Sequence, residues 1–194
     1  MKIFHTKYIL LFVIAVLGGH AMGEVTIQTI DKKEVSADFS VNFVITIDRP
    51  ASNVWPHLIK LGSWIEDFTW SHSSGEPNAA GEILHLHHES IPIKDRNESN
   101  ALVVKAINIV PLHLSHHVNP LYMASDGSLH FGTNILTLHE NNGKTEVNYY
   151  GSKSLKTSSM TEDQVRSHFQ AFNEDATQRW EKRYLPRLKE LAEK

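Results

Sequence analysis

The chain has 194 residues, no cysteine and a formal net charge of −3 at neutral pH. This length suits a single domain with a substantial apolar core, which burial rather than disulfide bonds must hold together. The slight negative charge, together with the lack of any basic run in the sequence, argues against nucleic-acid binding. We therefore expect no nucleic-acid partner.

Residues 1–23 have the pattern of a secretory signal peptide. Lys2 and Lys7 precede an apolar run over residues 9–17, and small residues follow up to Gly23. Such a run matches a signal peptide, and it is shorter than the roughly 20 residues that a membrane-spanning helix needs. We therefore expect a mature chain that starts at Glu24, is periplasmic or secreted, and has no integral membrane span.

The first part of the mature chain is predicted to contain a strand and two short helices. Residues 24–37 are interpreted as an N-terminal extension, either a short extra strand or a tether. Residues 38–47 alternate apolar and polar side chains, as a strand does. A helix should follow, capped by Asp48 and shortened or kinked by Pro56. A second helical turn is predicted at residues 64–68.

The central part of the chain is predicted to be a run of antiparallel strands. Strand patterns cover residues 82–89, 101–110, 112–118, 131–138 and 145–152. Between the last two, Asn-Gly at positions 142 and 143 is a strong signal for a tight hairpin. The short connections favour a meander, in which successive strands are neighbours in the sheet.

The last 34 or so residues have the period of an amphipathic helix. Apolar residues from Val165 to Leu191 fall on one stripe, and residues 159–162 resemble a capping box. A helix over residues 161–193 would be roughly 45–50 Å long. It is too long to be buried on all sides, so we expect it to lie across the sheet, with Pro186 bending its final turns.

This order of elements predicts an α+β fold with an internal cavity. A curved antiparallel sheet should wrap around the long C-terminal helix while the two short helices close one end. Apolar side chains from the sheet and the helix then point inward, and the space that they leave unfilled is a pocket. We expect this domain to cover residues 38–194.

The stretch from Ile45 to Leu58 resembles the START-like, helix-grip superfamily, also called SRPBCC or polyketide cyclase/dehydratase-like. It has an apolar strand followed by Pro-x-x-x-Val-Trp-x-x-Leu. Trp64 and Phe68 stand where that superfamily has its second short helix, and two glycines, Gly75 and Gly81, resemble its turn glycines. The resemblance covers residues 38–191 and implies the fold and a cavity, but it assigns no catalytic residue.

A lipocalin-like barrel is the competing fold. Gly62-Ser63-Trp64 resembles the lipocalin Gly-x-Trp motif. In lipocalins that motif stands near the mature N-terminus, before the first strand, whereas a predicted strand and helix precede it in this chain. The sequence therefore favours the helix-grip fold.

Two predicted strands carry a cluster of histidines. Because side chains alternate along a strand, Leu84, Leu86 and His88 should share one face, and Leu114 should share another with His116. The leucine-bearing faces are expected to look into the cavity. The other histidines would then face outward, at positions 85, 87, 113 and 117. A one-residue bulge would reverse either assignment.

Three interpretations of these histidines remain open. The inward pair can simply form hydrogen bonds near the cavity mouth. It can instead orient a ligand or transfer a proton, since histidine titrates near pH 6.5. Finally, outward His85 and His87 lie two apart on one strand face and could bind a transition metal. The second histidine strand should lie two strands away, roughly 9–10 Å, which is far for a shared ion.

Other positions add candidates for ligand contact but no catalytic motif. The sequence has no nucleophile elbow, P-loop or His-Glu-x-x-His motif. The adjacent acids Glu66 and Asp67 are expected to be solvated. Aromatic residues on the last helix and near the mouth should contact a ligand together with the inward strand residues. The predicted ligand-binding set is Trp64, Leu84, Leu86, His88, Leu114, His116, Phe169 and Phe172.

The favoured function is an exported protein that holds a small apolar or amphipathic ligand, either a lipid or an aromatic, polyketide-like molecule, without any cofactor. The alternative is an enzyme resembling the superfamily's cyclases and dehydratases, with His88 or His116 as acid/base. The resemblance implies that such chemistry needs no metal or nucleotide. A surface metal-binding protein is the third hypothesis.

Overall fold

The structure is a computed structural model that describes residues 24–31, 34–96, 102–109 and 114–194. The predicted signal peptide, residues 1–23, lies outside the described residues. Within the described ranges, no helix combines the length and apolar character needed to cross a membrane.

Eight antiparallel strands form one sheet in the order β1-β2-β8-β7-β6-β5-β4-β3. The last six strands form the predicted meander. The N-terminal extension is a strand rather than a tether, since β1 pairs with β2. Among the described pairings, β1 and β3 remain the sheet edges, so a closed lipocalin-like barrel is excluded. The strands are β1 Glu24–Asp31, β2 Glu34–Ile47, β3 Phe68–Ser74, β4 Ile83–His88, β5 Leu102–Ile109, β6 Leu114–Met123, β7 Leu129–Asn141 and β8 Lys144–Thr157.

Alternation along the central strands separates a buried inner face from an exposed outer face. On β8, Val147 and Leu155 are buried while Tyr150 is 40% exposed. The β7–β8 hairpin forms at the predicted Asn-Gly pair, where Asn142 has φ 52° and Gly143 has φ 73°. Both residues adopt the left-handed backbone that tight hairpin turns require.

One short α-helix, α1 (Ala51–Leu58), and a 3-10 turn, Leu61–Ser63, close one end of the sheet. The prediction that Asp48 caps α1 is wrong, because Asp48 pairs with Lys144 at 2.7 Å. Glu140 of the β7–β8 hairpin caps the helix instead, accepting from the Ala51 backbone N–H at 2.8 Å. The second helical turn predicted at residues 64–68 is also wrong, since the 3-10 turn ends at Ser63 and β3 begins at Phe68.

The C-terminal helix is continuous but changes its winding. It consists of α2 (Glu162–Ala176), a π-helical segment (Thr177–Tyr184) and α3 (Leu185–Glu193). Pro186 lies in the first turn of α3, and because proline cannot donate a backbone hydrogen bond, the wider winding just before it accommodates that loss. The helix begins with a capping box, two residues later than predicted. The Thr161 hydroxyl accepts a hydrogen bond from the Gln164 backbone N–H, and the Gln164 side chain accepts one from the Thr161 backbone N–H.

The helix packs along the inner face of the sheet, as predicted. Near its start, Phe169 stacks on Phe39 of β2 with ring centroids 5.3 Å apart. Near its end, Lys189 donates to the Thr46 carbonyl of β2 at 2.7 Å. Between these two anchors the helix and sheet enclose an incompletely filled space.

Candidate functional site

A cavity of about 340 Å³ lies between the inner face of the sheet and the C-terminal helix. Its volume falls at the lower end of the range that small-molecule sites occupy. Most of its wall is apolar and aromatic, formed by Ile65, Phe68, Trp70, Leu86, Tyr149, Phe172, Ala176 and Trp180. Polar and charged groups also line it, among them His130, Asn134, Ser152, Lys153, Asp175, Arg179 and Tyr184.

Stacked aromatic rings form the middle of the cavity wall. Tyr149 of β8 and Trp180 lie with ring centroids 3.7 Å apart and planes 16° apart. The Tyr149 hydroxyl donates to Asn134 Oδ1 at 2.6 Å. Gly151 makes this possible, because a Cβ at that position would clash with the Tyr149 hydroxyl. Burial raises the pKa of Tyr149 far above its usual value, so its hydroxyl remains a hydrogen-bond donor.

At one end of the cavity, Lys153 of β8, His130 of β7 and His168 of α2 form what we call the basic cluster. Lys153 Nζ lies 3.2 Å from His168 Nε2, and the two histidine rings are 6.3 Å apart between centroids. Lys153 Nζ also lies 5.3 Å from the centre of the Phe172 ring. All three side chains therefore converge beside the aromatic wall.

Burial controls the protonation of the basic cluster. It lowers the pKa of Lys153, because the charged amine loses solvation. Burial and the charge of Lys153 lower the pKa of both His130 and His168. At neutral pH the cluster therefore carries the charge of Lys153, and both histidines are neutral.

At the opposite end, Asp67 joins the loop before β3 to the C-terminal helix. Tyr184 and Arg183 both donate to its carboxylate. Burial opposes ionisation of Asp67, but these hydrogen bonds outweigh it and hold its pKa below the usual value. Burial and the bond to Asp67 raise the pKa of Tyr184 to about 12. The expectation of a solvated Asp67 is wrong, because two side chains of the C-terminal helix donate hydrogen bonds to its carboxylate.

Three cavity residues, Arg179, Trp180 and Tyr184, belong to the π-helical segment. Such wide turns are uncommon and occur frequently at functional sites. The altered winding sets the directions in which these side chains leave the helix. Together with Phe172, Asp175 and Ala176 of α2, these residues form the helix side of the cavity wall.

Two of the eight predicted ligand contacts line the cavity, Leu86 of β4 and Phe172 of α2. Trp64 and Phe169 are fully buried and pack in the core beside it rather than in its wall. Trp64 donates its indole N–H to the Leu58 carbonyl at 3.2 Å and meets Trp180 edge to face. Both rings are fully buried, and Trp64 supports the cavity wall through its contact with Trp180.

The remaining predicted contacts lie toward the β3–β4 side of the sheet. Leu84 is half-buried against the core, and His88 packs its ring on Phe68 while forming a 2.7 Å hydrogen bond with Ser90. The side chains of Leu114 and His116 lie outside the described part of the structure. A role in ligand binding stays a prediction for all eight residues.

The outward histidines can be placed relative to one another by the sheet. Strand β5 lies between β4 and β6, so His85 and His117 stand two strands apart, as expected. Among the side chains that the structure describes, no three of the types His, Cys, Asp and Glu come together as a metal site.

Sequence reasoning missed the basic cluster, although a signal for it was present. Lys153 occupies an inner-face position of β8, in the same alternation as Val147, Tyr149 and Leu155. His130 stands likewise in phase with buried Leu136 on β7. A charged residue in phase with an apolar face is unusual enough to be noticed.

Similar proteins share the fold at low sequence identity. No protein-family model and no curated protein matches the sequence. Among solved structures, the di-domain ARO/CYC BexL from the BE-7585A biosynthetic pathway is similar, with TM-score 0.58, 18% identity, 81% of this chain covered and 50% of that chain. The chain thus spans half of BexL's length.

Two further structures cover nearly their whole length. The Zhui aromatase/cyclase from Streptomyces sp. R1128 gives TM-score 0.56 at 11% identity, covering 80% of this chain and 94% of its own. The structure of Ara h 8.0201 gives a TM-score of 0.52 at 9% identity, and the match covers 80% of this chain and 97% of that chain. These similarities support the fold that the sequence motif implied: the chain has a START-like, helix-grip fold.

Proposed function

We propose that the protein binds a small apolar or amphipathic molecule, lipid-like or aromatic, in the cavity under its C-terminal helix. The carrying observation is the aromatic wall of Tyr149, Trp180 and Phe172 around about 340 Å³ of unfilled space. Burial of an apolar ligand there releases water from a surface that the protein cannot cover by itself. The similarity to two aromatase/cyclases supports an aromatic ligand class.

We further propose that the protein works outside the cytoplasm. Its support is the basic start, short apolar run and small-residue exit of residues 1–23. N-terminal sequencing of the protein recovered from the periplasm or medium should find Glu24 as the first residue. Recovery of the uncleaved chain from the cytoplasm would contradict export, without bearing on ligand binding.

Binding can be tested with N-phenyl-1-naphthylamine, an uncharged dye that fluoresces in apolar surroundings. The purified protein should enhance its emission saturably. Trp180→Ala removes a ring from the wall and should weaken binding roughly tenfold, as expected for losing most of one large aromatic contact. Tyr150→Ala, on the outer face of the same sheet, is the matched control and should bind as the wild type does.

Native mass spectrometry provides an independent measurement on the protein as purified. A bound molecule should add a discrete mass, and solvent extraction should release it for identification. Absence of a bound species together with no dye binding by the wild type would overturn the proposal.

An enzyme that cyclises or dehydrates its ligand is the second candidate. It is supported by the titratable groups that line the cavity, His130, Lys153 and Tyr184. In such a reaction a base removes a proton beside a carbonyl, and the carbanion attacks a second carbonyl, whose oxygen takes up a proton to become a hydroxyl. A base then removes a second proton beside the first carbonyl while an acid protonates the departing hydroxyl, so one water is lost and a carbon–carbon double bond forms. Acid/base roles for His88 or His116 stay predictions. Mass spectrometry of a short poly-β-keto thioester incubated with protein should show loss of water, which His130→Ala should slow.

A further inference from the structure

The charge at one end of the cavity has no counter-ion among the described residues. Lys153 is half-buried, and its Nζ lies 3.2 Å from a neutral base, His168 Nε2. No ion pair joins Lys153 to a carboxylate of the described residues. At the other end, by contrast, Arg183 pairs with Asp67.

The carboxylates that approach the basic cluster are committed elsewhere. Asp126, the acid that most affects His130, accepts hydrogen bonds from the Ser128 hydroxyl and the Ser159 hydroxyl, both at 2.8 Å. Asp175, in the cavity wall, pairs with Arg179 at 2.9 Å. A cation removed from water without a counter-ion is costly, so an anion that entered the cavity would meet a preformed partner.

We infer that the basic cluster binds the acidic head group of the ligand, so that the ligand is an amphipathic monocarboxylic acid whose apolar body lies against the aromatic wall. This inference rests on the proposed function and names its ligand class. Lys153 lines the cavity and supplies the positive charge with which a carboxylate can form a charge-assisted hydrogen bond. A single full positive charge suits a monoanion better than a phosphate monoester.

Two dyes with one aromatic body separate the head group from the rest of the ligand. 8-Anilinonaphthalene-1-sulfonate differs from N-phenyl-1-naphthylamine only by its sulfonate, which stays ionised throughout the pH range of protein work and stands in for the carboxylate. The wild type should bind the sulfonate dye more tightly than the neutral one. Decanoate should displace it, and decanol at the same concentration should do so less well.

Lys153→Met removes the charge and keeps most of the side-chain volume. It should weaken sulfonate-dye binding roughly tenfold or more, the usual effect of losing one charge-assisted hydrogen bond, while changing neutral-dye binding less than about twofold. Lys156→Met is the matched control, because Lys156 lies on the same strand but pairs with Glu34 at the surface. Lys153→Arg keeps the charge and should retain preference for the sulfonate dye.

The pH dependence provides a second measurement that needs no variant. From pH 8 to pH 5, the wild type should bind the sulfonate dye progressively better as His130 and His168 gain protons. The other charged groups near them are Lys153, Asp175 and Arg179 in the cavity wall and Asp126, which acts electrostatically on His130. Binding of the neutral dye should not follow this trend.

The outcomes distinguish the two proposals. If neither dye binds to the wild type, the proposed function fails and takes this inference with it. If both dyes bind equally well, or if Lys153→Met weakens the binding of both alike, the cavity binds a ligand but the basic cluster does not recognise the ligand's negative charge. That second result overturns this inference alone.

Discussion

Both ends of the cavity carry charged side chains, but among the described residues an ion pair neutralises the charge at one end and not that of Lys153 at the other. Asp67 receives Tyr184 and Arg183, so the β3 end is a closed network that fastens the C-terminal helix to the loop. In the basic cluster at the other end, no ion pair joins Lys153 to a carboxylate of the described residues, and its Nζ lies beside a neutral histidine. The comparison teaches that balanced charge holds the fold together, whereas unbalanced charge facing a cavity is available to a ligand.

The stacked pair of Tyr149 and Trp180 separates the two ends. Trp180 meets Tyr184 edge to face at 5.3 Å, on the Asp67 side. Lys153 lies four residues beyond Tyr149 along β8, which is roughly 13 Å in a strand. Changes to the two ends should therefore act separately, and changes to the aromatic pair should affect both.

Gly151→Ala should have the largest effect. Its Cβ would push the Tyr149 ring away from Trp180 and break the bond to Asn134, and overpacking of this kind lowers the free energy of unfolding by about 2–3 kcal/mol. Urea unfolding measures the change. Gly62→Ala is the control, since a Cβ there makes ordinary contact with Trp70. Equal stability of the two variants would show that the stacked pair does not divide the cavity.

Asp67→Asn should destabilise next most strongly. The amide cannot accept two donors as well as a carboxylate does, and it leaves Tyr184 and Arg183 imperfectly bonded, at a cost of about 1–2 kcal/mol. Glu66→Gln, at the neighbouring and more exposed acid, should change stability by less than about 0.5 kcal/mol. An equally large loss of stability in Glu66→Gln would show that the effect comes from the change in net charge and not from the hydrogen bonds of Asp67.

The two ends should also respond to pH in different ranges. The pKa of Asp67 is lowered in the folded protein. Its ionised form therefore contributes to the free energy of unfolding above the unfolded pKa, near 3.9. This contribution is lost as the pH falls through the folded pKa. His130 and His168 also have lowered pKa values, so the unfolded chain binds more protons below about pH 6.5 and stability falls there as well.

We therefore expect thermal stability to fall in two steps, one beginning near pH 6.5 and one below about pH 4. The double variant His130→Gln, His168→Gln should flatten the upper step, which is smaller than the loss in Asp67→Asn. If the step near pH 6.5 is unchanged in that variant, these two histidines do not cause it.

Lys153→Met should have the smallest effect on stability, within about 0.5 kcal/mol of the wild type or slightly stabilising. A buried charge without a partner contributes little, and replacing it with an apolar side chain of similar length is often neutral or favourable. Thermal unfolding of the ligand-free protein measures it. A large loss would mean that the basic cluster, like Asp67, is part of the structural framework.

Residues close in sequence were predicted well. The hairpin at Asn142 and Gly143 depends on two adjacent residues that tolerate a left-handed backbone, and it forms as expected. The stripe from Val165 to Leu191 correctly indicated one long helix across the sheet. The cap of α1 was predicted incorrectly because its acceptor, Glu140, is 89 residues away and no local pattern reveals it.

The candidate site was only partly predictable for the same reason. Leu86 and Phe172 were placed correctly in the cavity wall by alternation and helical period. Lys153 and His130 were not predicted, because each stands singly on an apolar strand and belongs to no local motif. Their proximity to His168 depends on where the helix crosses the sheet, which is a property of packing rather than of period.

By itself the sequence determined most of the strands, the long C-terminal helix and the general helix-grip arrangement, because backbone periodicity and turn chemistry act over a few residues. Only the tertiary structure decided which polar side chains meet inside. Asp67 accepts from Tyr184 and Arg183 across more than a hundred residues, whereas Lys153 lies beside His168 and forms no ion pair with an acid of the described part of the chain. Charge balance in a cavity depends on distances between elements, and those distances are set by the packing of the whole domain.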